Sequence, residues 1–382
     1  MHLRPLACGL LLGLGGCELL APLGVGSQDA APSHGIRLDF AARQPIEFFT
    51  SSPVTDGTRL FLEAFNFTLV AVDRRDGKHL WTVHSPEGEV LGSPTYHEGR
   101  VLTASAKARA WDAATGALLW EAPLTIGSPR HRNAAAGGLF FAGLDSVIVA
   151  FDVATGERRW ESVVGPGWAY TGRVSALSVA DGTVYACLRE PLEWNGWRTV
   201  GHVVAVDAAT GIERWRYRMS FETVWNFCMG EPVPAGDMLI VADAGGNNYV
   251  GLDRSTGEFR WRYIGDRGWA GPFAAPTVIA DTVFAASFDR QVVKLHRRTG
   301  TVFWQSMTDG SSARHAAPCG RVIIVPTTGS TNVLDRRTGR VLTGNLSDVW
   351  EPHAPLSTRV IVAGDTAFAF GGWNLYRMRC PR

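Results

Sequence analysis

Apolar and polar positions repeat along this chain in one phrase. An apolar stretch ends in Asp; two residues, Thr-Gly, three residues and a Trp follow. The copies are VAVDRRDGKHLW (70–81), ARAWDAATGALLW (108–120), VAFDVATGERRW (149–160), VAVDAATGIERW (204–215), VGLDRSTGEFRW (250–261), VKLHRRTGTVFW (293–304) and NVLDRRTGRVLT (332–343). Within each copy the apolar residues are read with period two and β-branched residues dominate, which predicts short strands and excludes helices. The turn glycines at 77, 116, 156, 211, 257, 300 and 339 recur about every 44 residues, the length of four short strands with their turns, as in one blade of a β-propeller.

The phrase has a physical reading. Asp207 ends a strand, and its carboxylate is placed to accept the amides of the next turn. Gly211 supplies the positive φ that closes a bulged hairpin. Trp215 then falls on an outer strand, facing the adjacent unit. Trp81, Trp120, Trp160, Trp261 and Trp304 occupy the same offset, so these six tryptophans are assigned to packing. Three copies depart: Asp76 replaces the Thr, His296 replaces the Asp, and Thr343 replaces the last Trp. The seam after the seventh copy is therefore expected to be the loosest.

An eighth unit lies at the end. RVIVAGDTAFAFGGWNLYRM (359–378) matches TVIADTVFAASFDRQVVKL (277–295) but stops without an outer strand. IRLDF (36–40) is available to supply it and close the ring, which removes exposed sheet edges. The expected fold is all-β: an eight-bladed β-propeller of four-stranded antiparallel blades, closed by an N-terminal strand, over 36–382.

The amino-terminal residues change the picture. Arg4 precedes an apolar run, Leu6 to Leu14, that is too short to span a bilayer. It ends in Leu14-Gly15-Gly16-Cys17, which looks like a bacterial lipobox. This implies a signal peptide over 1–16, acylation of Cys17, and a Gly-, Ala-, Pro- and Ser-rich tether over 17–35. Glu18 after the cysteine favours outer-membrane retention in the lipoprotein pattern, with the protein facing the periplasm. Lys plus Arg number 37 against 36 Asp plus Glu, a net charge of +1, so nothing calls for nucleic acid. Of the remaining cysteines, Cys187, Cys228, Cys319 and Cys380, export permits bridges. Their spacing fixes no pairing and fits no metal knuckle, and buried free thiols stay equally open.

The repeated phrase resembles the tryptophan-docking repeat of quinoprotein, or PQQ-like, β-propellers. A lipoprotein of this length with eight units looks most like the BamB family of accessory lipoproteins of the outer-membrane β-barrel assembly machine. That resemblance implies a non-catalytic scaffold, monomeric within a complex, that binds envelope proteins. The rival class is the PQQ-dependent dehydrogenases, which would hold PQQ and calcium. The chain has no adjacent Cys-Cys pair, no C-x-x-C-H, and no G-x-S-x-G, H-E-x-x-H or P-loop motif. No cofactor, metal site or catalytic residue is expected on that ground. A glycan-binding propeller is a third reading.

Two sets of residues fall outside the repeat. Trp168, Tyr170, Trp225, Trp269 and Trp350 lie between units, and Trp194 and Trp197 lie in the longest insertion, REPLEWNGWRTV (189–200). Propeller topology gathers these loops on the face opposite the Thr-Gly turns. There they either clasp neighbouring blades or form a partner-binding surface, since tryptophan is a hot-spot residue. Arg130, His131, Arg132, Arg173, Glu231, Arg314, His315 and His353 align with the inner strands and are expected near the channel. They either face water or hold a carboxylate-bearing ligand.

Overall fold

The computed structural model describes residues 35–43, 53–64, 67–85, 88, 91–124, 133–165, 173–191, 199–219, 228, 230–243, 248–265, 275–287, 289–309, 315–327, 330–343, 360–371 and 374–382. These form eight four-stranded antiparallel sheets arranged as blades in a ring, with no helix among the described residues. Blades 1 to 7 occupy 54–84, 95–123, 134–163, 173–218, 233–264, 277–307 and 317–343. Blade 8 combines 361–379 with Arg37–Arg43. That amino-terminal strand pairs antiparallel with Asn374–Arg379, with Arg37 opposite Arg379 and Arg43 opposite Asn374. The ring is thus closed by the strand the sequence made available.

The core is divided among the seams. Each pair of adjacent blades shares its own buried cluster, from Phe61, Leu69 and Val101 between blades 1 and 2 to Leu60, Phe368 and Phe370 between blades 8 and 1. This changes the expected periodicity. The third strand of blade 4, Thr199–Asp207, is buried at every position up to Val206. A neighbouring blade covers each of its faces, so both faces are apolar. The exposed and half-buried alternation appears instead on outer strands such as Leu118–Pro123, where one face meets water.

The turns follow the predicted chemistry. In blade 2, Asp112 Oδ1 accepts the amides of Ala114 at 3.0 Å and Thr115 at 2.8 Å, and the Thr115 hydroxyl at 2.8 Å. Gly116 has φ +75° and follows a bulge at Ala110–Trp111. Where Asp76 replaces the Thr, its carboxylate accepts the Lys78 amide at 2.9 Å, and where His296 replaces the Asp, its Nδ1 lies 3.1 Å from the Thr299 hydroxyl.

The six repeat tryptophans dock as predicted. The indole N–H of each donates to a carbonyl of the next blade's turn: Trp81 to Ala113, Trp120 to Val153, Trp160 to Ala208, Trp215 to Arg254, Trp261 to Arg297 and Trp304 to Arg336, at 2.8 to 3.3 Å. Each ring also lies against that turn's glycine, where a side chain would collide with it. The seam after Thr343 is held differently. A disulfide joins Cys319 of blade 7 to Cys380 at the end of blade 8, with Cα atoms 5.0 Å apart. Beside it Leu342 and Val362 pack on the cluster of Ile324, Val333 and Tyr376. A second disulfide, Cys187–Cys228, joins blade 4 to the segment entering blade 5. The pairing left open by the sequence is therefore two bridges, each at a blade seam.

Candidate functional site

At the centre of the ring is a cavity of about 590 Å³. It is lined from, or just before, the inner strands of blades 1, 2, 3, 5, 6, 7 and 8. Pro53, Val54, Pro94, Ile279, Pro318 and Ile361 make much of the wall, with Thr95, Asn133, Glu231, Thr277 and His315 among the polar groups. The polar groups also tie neighbouring blades. Thr95 donates to the Asn133 carbonyl at 3.1 Å, and Thr277 to the Ala316 carbonyl at 2.7 Å. His315 is buried, with Nε2 3.2 Å from the Thr277 hydroxyl.

Of the channel residues named from sequence, Glu231 and His315 line this cavity. Arg173 begins the inner strand of blade 4, Arg173–Ala180. Arg130, His131, Arg132, Arg314 and His353 lie outside the described residues, as do the lipobox with Cys17 and the tether up to residue 34. The loop aromatics Trp168, Tyr170, Trp194, Trp197, Trp225, Trp269 and Trp350 also lie outside them. The strands flanking the insertion, Thr183–Pro191 and Thr199–Asp207, pair along their full lengths. Pro191 and Thr199 are partners at the end of this pairing away from the Thr-Gly turn.

The described residues differ in their disulfides from the pattern of the PQQ-dependent dehydrogenases. The disulfide of that pattern joins adjacent cysteines, whereas here Cys187–Cys228 and Cys319–Cys380 span 41 and 61 positions and sit in blade seams. Among the described residues no three His, Cys, Asp or Glu side chains gather as a metal site.

The opposite face carries the turns, and its electrostatics were not anticipated. In blades 3, 4 and 5 an outer-strand arginine pairs with the turn Asp: Arg159 with Asp152 at 2.8 Å, Arg214 with Asp207 at 2.6 Å, and Arg260 with Asp253 at 3.0 Å. The Arg159 and Arg214 guanidiniums, with the turn threonines and amides, hold Asp152 and Asp207 down to about 2. Asp253 is lowered by the Ser255 hydroxyl and then by Arg260. The same position is Leu80, Leu119, Phe303 and Leu342 in blades 1, 2, 6 and 7. Arg297 of blade 6 reaches Asp237 at 2.6 Å and Asp281 at 2.8 Å, linking blades 5 and 6. The signal was present in the residue before each repeat Trp and, for Arg297, in the residue that follows the end of the strand.

An eight-bladed ring with indoles docked on turn glycines defines a propeller of the PQQ-like, quinoprotein-type class. The family model described as outer membrane protein assembly factor BamB matches residues 37–195 and 199–372, and the chain belongs to that family. The chain is 25% identical to the assembly factor BamB of Shewanella oneidensis over 268 residues, 59% of this chain and 66% of that protein. It is 25% identical over 239 residues to the dehydrogenase subunit of a quinone alcohol dehydrogenase of Gluconacetobacter polyoxogenes, covering 53% of this chain and 31% of that protein. The crystal structure of BamB from Moraxella catarrhalis matches with a TM-score of 0.71 at 18% identity, over 90% of this chain and 99% of that one. A quinohemoprotein alcohol dehydrogenase from Comamonas testosteroni matches with a TM-score of 0.70 at 13% identity, over 90% of this chain and 76% of that one. At these identities the solved structures speak to the fold.

Proposed function

We propose that the chain is a non-catalytic scaffold, anchored through Cys17 in the outer membrane and facing the periplasm, that binds envelope proteins during β-barrel assembly. The observation that carries this reading is the family match over nearly the whole propeller, joined to the lipobox at Leu14–Cys17. The loops opposite the Thr-Gly turns, with Trp194 and Trp197 in the longest, are the proposed partner surface, and the partner is the β-barrel assembly machine. Affinity capture from detergent-solubilised envelope tests it. Recovery of the assembly components is expected; a clean capture that lacks them overturns the reading. Acylation is checked separately by the mass of the amino-terminal peptide, which Cys17→Ser should return to that of the unmodified chain.

A second reading is favoured by the similarity to the quinone alcohol dehydrogenase subunit. Purified protein mixed with PQQ and calcium would then show quinone absorbance and reduce a dye with alcohols or sugars. Absence of both signals removes it.

A further inference from the structure

We infer that one arc of the turn face, centred on blades 7 and 8, is a docking surface for anionic phospholipid. The inference deepens the anchored reading, since it takes acylation of Cys17 as given and assigns the part of the propeller that meets the bilayer.

The charge of the turns is sorted around the ring. The turns of blades 6, 7 and 1 read HRRTGT (296–301), DRRTGR (335–340) and DRRDGK (73–78), each net positive. Those of blades 2, 3, 4 and 5 read DAATGA (112–117), DVATGE (152–157), DAATGI (207–212) and DRSTGE (253–258); their acids are offset in blades 3, 4 and 5 by Arg159, Arg214 and Arg260, so this arc lacks the excess of cations. Blade 8, between 7 and 1, adds Arg37, Arg379 and Arg382, all exposed. Arg298, Arg379 and Arg75 are 60%, 61% and 84% exposed although each also meets an acid, Asp237 at 3.3 Å, Asp39 at 3.2 Å and Asp73 at 3.0 Å, and Arg337, Arg340 and Lys78 are exposed as well. Asp39, Asp76 and Asp365 are interspersed without reversing the sign. Exposed apolar residues occur on both arcs, Leu38, Leu80 and Phe303 on this one and Ile212 and Phe259 on the other. Charge is therefore what distinguishes them.

These side chains share one surface. The Arg336 amide donates to the Arg321 carbonyl at 2.9 Å, Arg377 donates to the Arg75 carbonyl at 2.7 Å, and Arg74 to the Ala363 carbonyl at 3.1 Å, stitching blade 8 to blade 1. The chain enters the propeller here. Gly35 lies against Arg321 and Pro381, at the end of the closing strand where Arg37 faces Arg379. Gly35 follows Cys17 by 18 positions, so a fully extended chain reaches at most about 65 Å between them. Each cation near an anionic surface adds attraction that fades within a Debye length. An anionic lipid headgroup layer is the partner that both the charge and the chain entry select.

Amide exchange of the acylated full chain tests this, in vesicles of phosphatidylethanolamine with phosphatidylglycerol and in vesicles of phosphatidylcholine alone. On the anionic vesicles the amides of 336–341 and 374–382 should exchange about tenfold more slowly, while those of 153–158 and 208–213 stay unchanged. Salt at 0.5 M and the variant R298E/R337E/R340E/R379E should abolish the difference; R337Q/R340Q, a milder change, should reduce it if the quadruple variant misfolds. Equal protection on both vesicle types, protection of blades 3 and 4 instead, or protection by soluble polyglutamate with none by vesicles overturns the proposal. Amino-terminal acylation, measured on the same samples, separates failure of the docking surface from failure of the anchor.

Discussion

The indole of Trp261 lies against Gly300 of the next blade, so closely that a Cβ on that glycine would stand 2.7 Å from two ring atoms. The same indole donates to the Arg297 carbonyl at 2.8 Å. One residue pair thus locks a seam by shape and by a hydrogen bond, and the turn's positive φ, +67° at Gly300, is what lets the ring approach.

Trp261→Ala should destabilise the propeller by about 3–5 kcal/mol, since it removes a buried aromatic and leaves a cavity. Gly300→Ala should cost about 1–3 kcal/mol by overpacking the same site. The double variant should fall well short of the sum, because the ring that the new methyl strikes is gone. Denaturant unfolding of the four proteins measures this; strict additivity would mean that the two residues do not act as a unit.

The Cys319–Cys380 bridge closes a loop of 61 positions, at one of the two seams without a docking tryptophan. Replacing both cysteines by alanine should lower stability by about 2–4 kcal/mol. Amide exchange should show blade 8, with Arg37–Arg43, opening before blades 2 to 6. Uniform loss of protection around the ring would show that this seam is no weaker than the rest.

His202 sits buried in blade 4, and burial, then the Arg216 and Arg218 charges, push its pKa from 6.5 down to about 4. Glu213 favours the protonated ring, but burial and two cations outweigh it; Glu190 lies 3.3 Å from Nδ1. The unfolded chain takes up this proton near 6.5 and the folded chain only near 4. The stabilisation is therefore present above about 6.5 and lost as pH falls toward about 4, by on the order of 2 kcal/mol. Urea midpoints at pH 7 and pH 4.5 should differ for the native protein and differ less for His202→Gln. The paired turn carboxylates lose their own contribution as the unfolded chain takes up their protons, from about pH 5 downward; that share is common to both proteins, so the difference between them isolates His202.

Trp194→Ala combined with Trp197→Ala should weaken capture of the envelope partner while leaving the melting temperature within about 2 °C of the parent, as the partner-surface reading of these rings requires. A large fall in melting temperature would make the rings structural.

Much of the architecture was written in the repeat. Turn glycines at a steady interval gave the blades, and the incomplete last unit together with residues 36–40 gave the closure, because each follows from local turn chemistry and strand count. The disulfides were illegible for the opposite reason. Cys187 meets Cys228 and Cys319 meets Cys380 only because particular blades abut, and spacing alone does not encode that. Strand burial was misread where Val203 to Val206 were taken to alternate, since a blade between two neighbours has no wet face. Glu231 and His315 reached the channel wall from inner-strand alignment. The charge sorting of the turns escaped notice because the repeat drew attention to its constant positions, and the information lay in the two variable ones after each Asp.

The pairing of Arg37–Arg43 with Asn374–Arg379 has a consequence for how the molecule is made. A chain synthesised from its amino end produces the closing strand first and its partner last. Every earlier blade can form against its neighbour, but the ring stays open until the final residues arrive. A product cut short before residue 374 keeps two bare sheet edges, the kind of surface that aggregates or draws proteases. The closure therefore works as a check on synthesis: only a chain made through residue 379 can cover both of these edges.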